Sequence, residues 1–391
     1  MLSSLSNMIS LISHTADRLG TITFHVHYVT ISRSCPPCIR HPSEISLPVS
    51  RRDLSLEASS QPTQHSNSNT NMEAVTNVVN NVVDAVKGER SSMTSDGFAK
   101  PKDFASQSQW GKVVGIEDKM NPLPEFIHME DNYELYKPAG KLEGKVAIIT
   151  GGDSGIGRAV AVMYAMEGAD VAIGYLPEEQ VDAEVTKQHV TKYGRRCLLL
   201  PYDIRIEENC KKSVDETLAT FGKIDILVNN ASVMYDQESI TDITTEQFDR
   251  TIKTNIYGTF WMTKYTVPHL KKGASIIQTT SQVAYQGPPT LLDYTMTKSA
   301  MLGLTRSLSN QLISKGIRVN SVAPGPVWTP LQPAAMTREK LDKWHESSKA
   351  PIGRVGQPSE LGPAYVLLAS ADGSFISGQT IHVNGGTVLN G

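Results

Sequence analysis

Tyr294 and Lys298 stand four residues apart in the stretch "LLDYTMTKSA". On a helix that spacing puts both side chains on one face. A free tyrosine has a pKa of about 10, poorly matched to proton transfer near neutrality. An ammonium a few ångströms away would stabilise the phenolate, and a lowering by two units corresponds to about 2.7 kcal/mol. Such a phenol can give a proton to a carbonyl oxygen or take one from an alcohol. Ser281 precedes Tyr294 by thirteen residues, just past an apolar run. Its hydroxyl can hold the same oxygen as charge develops there. By itself a Tyr/Lys pair at helical spacing is usually a surface pair, so the reading depends on what stands around it.

A second stretch supplies that context. "TGGDSGIGRAV" begins at Thr150, directly after the apolar run "GKVAII". A tight turn from a parallel strand into a helix needs φ angles that glycine adopts cheaply. It also needs bare backbone N–H groups at the positive end of a helix, where a phosphate can approach. Gly151, Gly155 and Gly157 are placed to cradle a pyrophosphate, and Gly157 lets the helix pack on the strand. The required context of strand before and helix after is met.

The elements that must carry these residues follow from the hydrophobic pattern. From Lys141 onward, apolar runs of five or six residues alternate with helical stretches. The strand candidates are 145–150, 170–175, 197–202, 224–229, 274–279, 318–323 and 380–383. This alternation predicts an α/β fold: a Rossmann-type doubly wound parallel sheet of seven strands with helices on both faces. Residues 141–391 form that domain. Residues 1–71 read as an unstructured tail, ending in the polar run "SSQPTQHSNSNTN", and 72–140 as a helical and irregular N-terminal arm. Within the arm, Val75, Val78, Val79, Val82, Val83 and Val86 share one helix face before Gly88. Residues 89–140 are irregular and carry Pro101, Pro122, Pro124 and Pro138.

Composition narrows the function classes. The 391 residues have a net charge of −3, which calls for neither nucleic acid nor an anionic membrane surface. No stretch reaches the roughly 18 apolar residues of a membrane span. Four cysteines are too few for a disulfide scaffold and suit a reducing compartment, the cytoplasm. Cys35 and Cys38 form a lone CxxC with no partner pair, read as incidental thiols. His128 and His345 show no metal-ligand spacing, so no metal site is expected. Residues 1–43 are poor in acid and rich in serine, the composition of an organelle transit peptide. A plain tail, or a chain that starts at Met72, is the alternative.

The spacing T-G-x-x-x-G-x-G resembles the short-chain dehydrogenase/reductase family, and four further motifs agree in order: "NNA" at 229–231, Asn255 in "NIYG", Ser281 before "YTMTK", and "PGPVWT" at 324–329. The resemblance covers Lys141 to the C-terminus. It is closer still to a subgroup of aldehyde reductases and glucose/ribitol dehydrogenase-like proteins, through "YKPAGKLEGKVAIITGGDSGIGRAV", "LLDYTMTKSA" and "KGIRVNSVAPGPVWTPL". Members carry an N-terminal arm, and "GIEDKMNPLPEF" at 115–126 looks like part of it. The resemblance implies Tyr294 as general acid/base, Ser281 as holder of the reacting oxygen, and Asn255 as anchor of a proton-relaying water. It gives Lys298 a second task, the nicotinamide ribose. It assigns cofactor contacts to Ser154, Ile156, Asp203, Asn229, Ala231, Pro324, Gly325, Val327 and Thr329, beside the three glycines, Tyr175, Tyr294 and Lys298. Asp203 would meet the adenine, with a helix N-cap as the plain alternative. Ser232 stands where the family often has glycine. Helices bearing Asn255 and Tyr294 pack on a neighbour's in this family, as does the C-terminal strand, which implies a homotetramer.

Tyr175 takes the position after the second strand where NAD binders place a carboxylate for the ribose 2′-hydroxyl. A 2′-phosphate is then not repelled, so NADP(H) is favoured over NAD, although Glu178 and Glu179 are close. Trp328, Leu331 and Met336 either make an apolar substrate wall or pack a lid helix. The expected activity is reduction of an aldehyde or ketone, or oxidation of the corresponding alcohol. A polyol or sugar dehydrogenase and a non-catalytic dinucleotide-binding regulator are the alternatives.

Overall fold

Seven runs become seven parallel strands: five are buried along their whole length, while the edge runs Cys197–Leu200 and Thr380–Val383 are largely half-buried. In a computed structural model the described residues are 8–16, 22–30, 93–94, 97–98, 108–110, 114–129, 134–347 and 350–389. The valine-rich helix expected at 72–88, Met72 and the Cys35/Cys38 pair lie outside them.

In the N-terminal unit, β1 (Met8–Ala16) and β2 (Ile22–Thr30) pair antiparallel, Met8 opposite Thr30 and Ala16 opposite Ile22. The expectation of a tail without regular structure is corrected here. "ITFHVHYVT" is dense in β-branched and aromatic residues, which suit a pleated strand. Two-residue strands β3 (Met93–Thr94) and β4 (Gly97–Phe98) pair in the second unit.

The main sheet is built from β5 (Val146–Thr150), β6 (Asp170–Gly174), β7 (Cys197–Leu200), β8 (Ile226–Asn229), β9 (Ser275–Thr279), β10 (Arg318–Pro324) and β11 (Thr380–Val383). Its order is β11-β10-β9-β8-β5-β6-β7, and every pair is parallel. Side chains alternate across it. Ala147 and Ile149 join one core with Val171, Ile173, Val228 and Tyr365, while Ile148 joins the other with Ala172, Leu227, Ile276 and Val319. That two-sided burial is why the runs are continuously apolar.

Chain order reverses between β5 and β8, which opens a crevice at their carboxyl ends. The helices that deliver the site are α1 (Gly155–Met166), α2 (Gln180–Lys192), α3 (Glu207–Phe221), α4 (Thr245–Ile252), α5 (Thr259–Thr266), α6 (Val283–Gln286), α7 (Leu292–Leu312), α8 (Leu331–Ala335), α9 (Arg338–Ser347) and α10 (Pro358–Ala369). Between α4 and α5 the chain makes a six-residue π-helical turn, Lys253–Gly258. No helix among the described residues is long and apolar enough to cross a membrane.

Candidate active site

A cavity of about 810 Å³ lies at the carboxyl edge of the sheet. Its walls include Gly151, Ser154, Gly155, Ile156, Tyr175, Asp203, Ala231, Ser281, Tyr294, Lys298, Pro324, Gly325, Val327 and Thr329. Residues chosen from four of the five motifs thus meet around one space.

The glycine turn has the required backbone. Gly151 and Gly155 have φ of +61° and +50°. A Cβ on Gly157 would stand 1.7 Å from the Gly151 carbonyl oxygen, so Gly157 serves the contact of α1 with the turn and does not line the cavity. The turn is tied to β8 by Asn230, which sequence reasoning passed over beside Asn229. Its Nδ2 donates to the carbonyls of Thr150 at 3.2 Å and Gly151 at 3.0 Å. Thr150 Oγ1 accepts from the N–H groups of Asn230 and Ala231. The doubled asparagine was the available signal. Asn229 itself is not in the cavity wall. It is buried behind it, donating to Thr263 Oγ1 at 3.0 Å.

Tyr294 is held at the start of α7 by its neighbour Asp293, another residue missed from sequence. Asp293 Oδ1 accepts from the Tyr294 N–H at 2.8 Å, and its Oδ2 accepts from Thr251 Oγ1 and Gln247 Nε2 on α4. Its place in the first turn of an amphipathic helix was the only clue. Burial pushes the Tyr294 phenol above its ordinary value, and the nearby hydroxyls of Ser281 and Ser232 only partly oppose this. The expected lowering by Lys298 is therefore not what the protein alone provides. Lys298 Nζ instead donates to the Thr279 carbonyl at 2.8 Å and lies 5.3 Å from the Tyr294 ring centroid. Burial pushes this amine down to about 7. A protonated phenol beside a seryl hydroxyl is the form that donates to a carbonyl oxygen.

Asn255 sits in the π-helical turn and is fully buried. Its Oδ1 accepts from Val233 N–H at 2.9 Å, and its Nδ2 donates to Val233 O and Thr297 Oγ1, each at 3.0 Å. Thr297 Oγ1 in turn donates to the Tyr294 carbonyl. The side-chain amide is committed to joining the β8 loop to α7. A water relay therefore does not run through its amide hydrogens.

At the other end of the cavity, Tyr175 is buried and donates to Gln180 Oε1 at 2.7 Å. Glu179 and Asp153 also line this end, while Glu178 does not. Burial pushes the Glu179 carboxyl up to about 9 and that of Asp153 up to about 7. Asp203 caps no helix, since Ile206 precedes α3 at the N-cap position. It forms an ion pair with Arg205, which outweighs burial and holds the carboxyl below its usual range.

On the substrate side, Leu331 and Met336 line the cavity. Trp328 does not; it is buried against Trp344 and donates its indole N–H to Pro122 O at 2.9 Å. The arm thus reaches the site. Val114 and Gly115 stand in the cavity wall, Gln109 N–H donates to Pro333 O, and Ser108 Oγ donates to Met336 O. Of the two solitary histidines, His128 pairs with Glu125 at 3.1 Å.

Residues 151–388 match the family model described as Enoyl-(Acyl carrier protein) reductase. The chain belongs to the short-chain dehydrogenase/reductase family. It is 46% identical over 282 residues to NADPH-dependent aldehyde reductase 1, chloroplastic, of Arabidopsis thaliana, covering 71% of this chain and 96% of that one. It is 45% identical over 304 residues to the glucose and ribitol dehydrogenase of Daucus carota, covering 76% and 100%. Among solved structures, a short chain dehydrogenase from Burkholderia cenocepacia J2315 in complex with NADP superposes with a TM-score of 0.59 at 30% identity, over 63% of this chain and 98% of that one. The family supplies the reason for the doubly wound sheet: its crevice is where a dinucleotide and a small carbonyl or alcohol meet.

Proposed function

We propose that this short-chain dehydrogenase/reductase reduces apolar aldehydes or ketones with NADPH, and that it runs in reverse on the corresponding alcohols. The observation that carries this reading is the Tyr294 phenol, buried in the cavity wall between Ser281 and Lys298. The nicotinamide supplies the hydride. Ser281 Oγ holds the carbonyl oxygen, and Tyr294 donates its proton to that oxygen as negative charge builds on it. Lys298 lies under the phenol and offers a cation to the ribose and to the developing phenolate. Asn255 acts through Thr297 to place α7.

The adenosine end fits a ribose phosphate. Tyr175 brings no charge, and burial disfavours a charge on Glu179. Neither repels a 2′-phosphate, and a protonated carboxyl can donate to one. Gly151 and Gly155 leave room for the pyrophosphate, since a Cβ on Gly155 would already press Thr329 at 3.1 Å.

Around Tyr294 the wall is mostly apolar, with Met234, Val283, Leu291, Leu331, Met336 and Trp344 beside Ser232, Gln282, Gln286 and Gln332. A polyol would leave most of its hydroxyls unpaired against such a wall, at a cost of about 1–3 kcal/mol each, so the aldehyde reading is preferred to the sugar one. A non-catalytic regulator is disfavoured by Lys298. A fully buried amine whose one hydrogen bond among the described residues goes to a carbonyl is costly to keep without a task.

Exposed Phe248, Tyr257, Phe260 and Met296 lie on the helices around Asn255 and Tyr294. They support packing against copies of this chain, as in a homotetramer. The compartment we propose is the cytoplasm, with an organelle as the alternative where residues 1–43 direct import. The deciding experiment offers the purified chain NADPH or NADH with aldehydes, ketones and polyols of graded polarity and follows the nicotinamide absorbance. Turnover confined to polyols would overturn the reading.

A further inference from the structure

The glycine turn is gripped from behind by a residue that the sequence reading did not single out. Glu117 lies on a three-residue turn of the arm, Glu117–Lys119, and is only 2% exposed. Its Oε2 accepts from the Gly155 N–H at 2.6 Å, and its other oxygen is paired with Arg158 of α1. The arm backbone is fixed there too: the N–H groups of Glu117 and Asp118 donate to the Asp182 carboxylate at 2.8 and 3.2 Å. Arg158 continues the network, with Nε donating to Asp153 O at 3.0 Å and Nη2 to Asp182 O at 3.1 Å. Thr186 Oγ1 also donates to Asp153 O, at 2.7 Å.

Both ends of the segment Asp153–Gly155 are therefore held by one buried cluster. Neither Glu117 nor Arg158 lines the cavity, whereas Ser154 and Ile156 do. A buried carboxylate at the start of a helix uses up an N–H that a phosphate would otherwise seek. The Gly155 N–H is thereby withdrawn from the ligand, although the residue itself stays in the cavity wall between Ser154 and Ile156. The negative charge so close to a phosphate is balanced by Arg158, which carries no other full ion pair as short.

We infer that Glu117 is a positioning residue for the pyrophosphate: the arm's carboxylate sets the shape of the glycine turn from the side away from the ligand. The arm is then part of the cofactor-binding apparatus. This inference rests on reading the cleft as a dinucleotide site.

The test measures dissociation constants by calorimetry for the full chain and its Glu117→Ala and Glu117→Gln variants. Three ligands are compared: NADPH, ADP-ribose 2′-phosphate, and adenosine 2′-monophosphate, which lacks the pyrophosphate. Glu117→Ala is expected to weaken the first two by about tenfold or more while the third changes by less than about twofold. Glu117→Gln keeps an acceptor for Gly155 and should fall between parent and Ala; it carries the same comparison if the Ala variant does not fold. A loss shared equally by all three ligands, or NADPH binding within about twofold of the parent, overturns the inference. A parent chain that binds none of the three removes the dinucleotide reading itself.

Discussion

At the scale of single residues, the site holds two groups that burial pushes toward their neutral forms. Tyr294 stays protonated and Lys298 is easily neutralised, both through burial. Tyr294→Phe keeps the ring and removes the transferable proton. Turnover should fall about 10²–10⁴-fold with NADPH affinity unchanged; steady-state rates with a titration of the cofactor check this. Lys298 also makes a prediction about stability. Its pKa falls from 10.5 to about 7 on folding, so between those values the unfolded chain binds the extra proton. Stability from this group therefore rises with pH across that window and is fully lost below it. Glu179, raised to about 9, slopes the other way, so only a difference is diagnostic. Lys298→Met should melt several degrees higher than the parent at pH 7, with the gap closing toward pH 10, while activity disappears. Melting curves of the two proteins over that range would expose a wrong charge assignment. At the ribose end, Tyr175→Asp adds a carboxylate and a partner for a 2′-hydroxyl. The ratio of kcat/KM for NADPH to NADH should drop by at least about tenfold.

At the scale of elements, the five central strands were readable because two-sided burial favours apolar runs such as "VAIIT", whereas the edge strands "CLLL" and "TIHV" are largely half-buried. The glycine turn and α7 were readable because their chemistry is local: four glycines within seven residues, and Tyr294 four before Lys298. What escaped notice acts across the chain. Asn230 reaches Gly151 from 79 residues away, and Glu117 reaches Gly155 from 38. No periodicity reports such a meeting. The π-helical turn was equally hidden, because one extra residue per turn leaves no mark on a helical pattern, yet it is what seats the Asn255 amide among three partners. Trp328 shows how one element depends on another. Its indole N–H binds Pro122 O, joining the arm to the segment that leads into α8. Trp328→Phe keeps most of the buried ring and strands that carbonyl. A loss of about 1–3 kcal/mol is expected, with a raised KM for the carbonyl substrate and little change for NADPH. Denaturant melts together with both KM values decide it.

At the scale of the whole molecule, the chemistry occupies one edge of one sheet in the second unit. A chain beginning at Met72 should keep the parent's rate constants and, by light scattering at micromolar concentration, the mass of a homotetramer. A monomeric mass, or loss of activity, would show that the first 71 residues do more than extend the chain. The strands β1 and β2 were not foreseen because a hairpin carrying histidines and threonines among its apolar residues looks, in composition, like any polar leader.

The arm's contacts also impose an order on how the protein matures. The partners of Glu117 emerge early in synthesis: Gly155 follows it by 38 residues and Asp182 by 65. The partners of its flanks come late, Trp328 206 residues after Pro122 and Met336 228 after Ser108. Closing the longer loops costs little extra at equilibrium, about 0.6 kcal/mol for each doubling. In time, however, the two grips are far apart. On the ribosome the back of the glycine turn can be fastened while the wall beside Tyr294 has not yet been translated. A newborn chain thus has the back of its glycine turn in place before Lys298 and Thr329, which complete the cleft, have been translated.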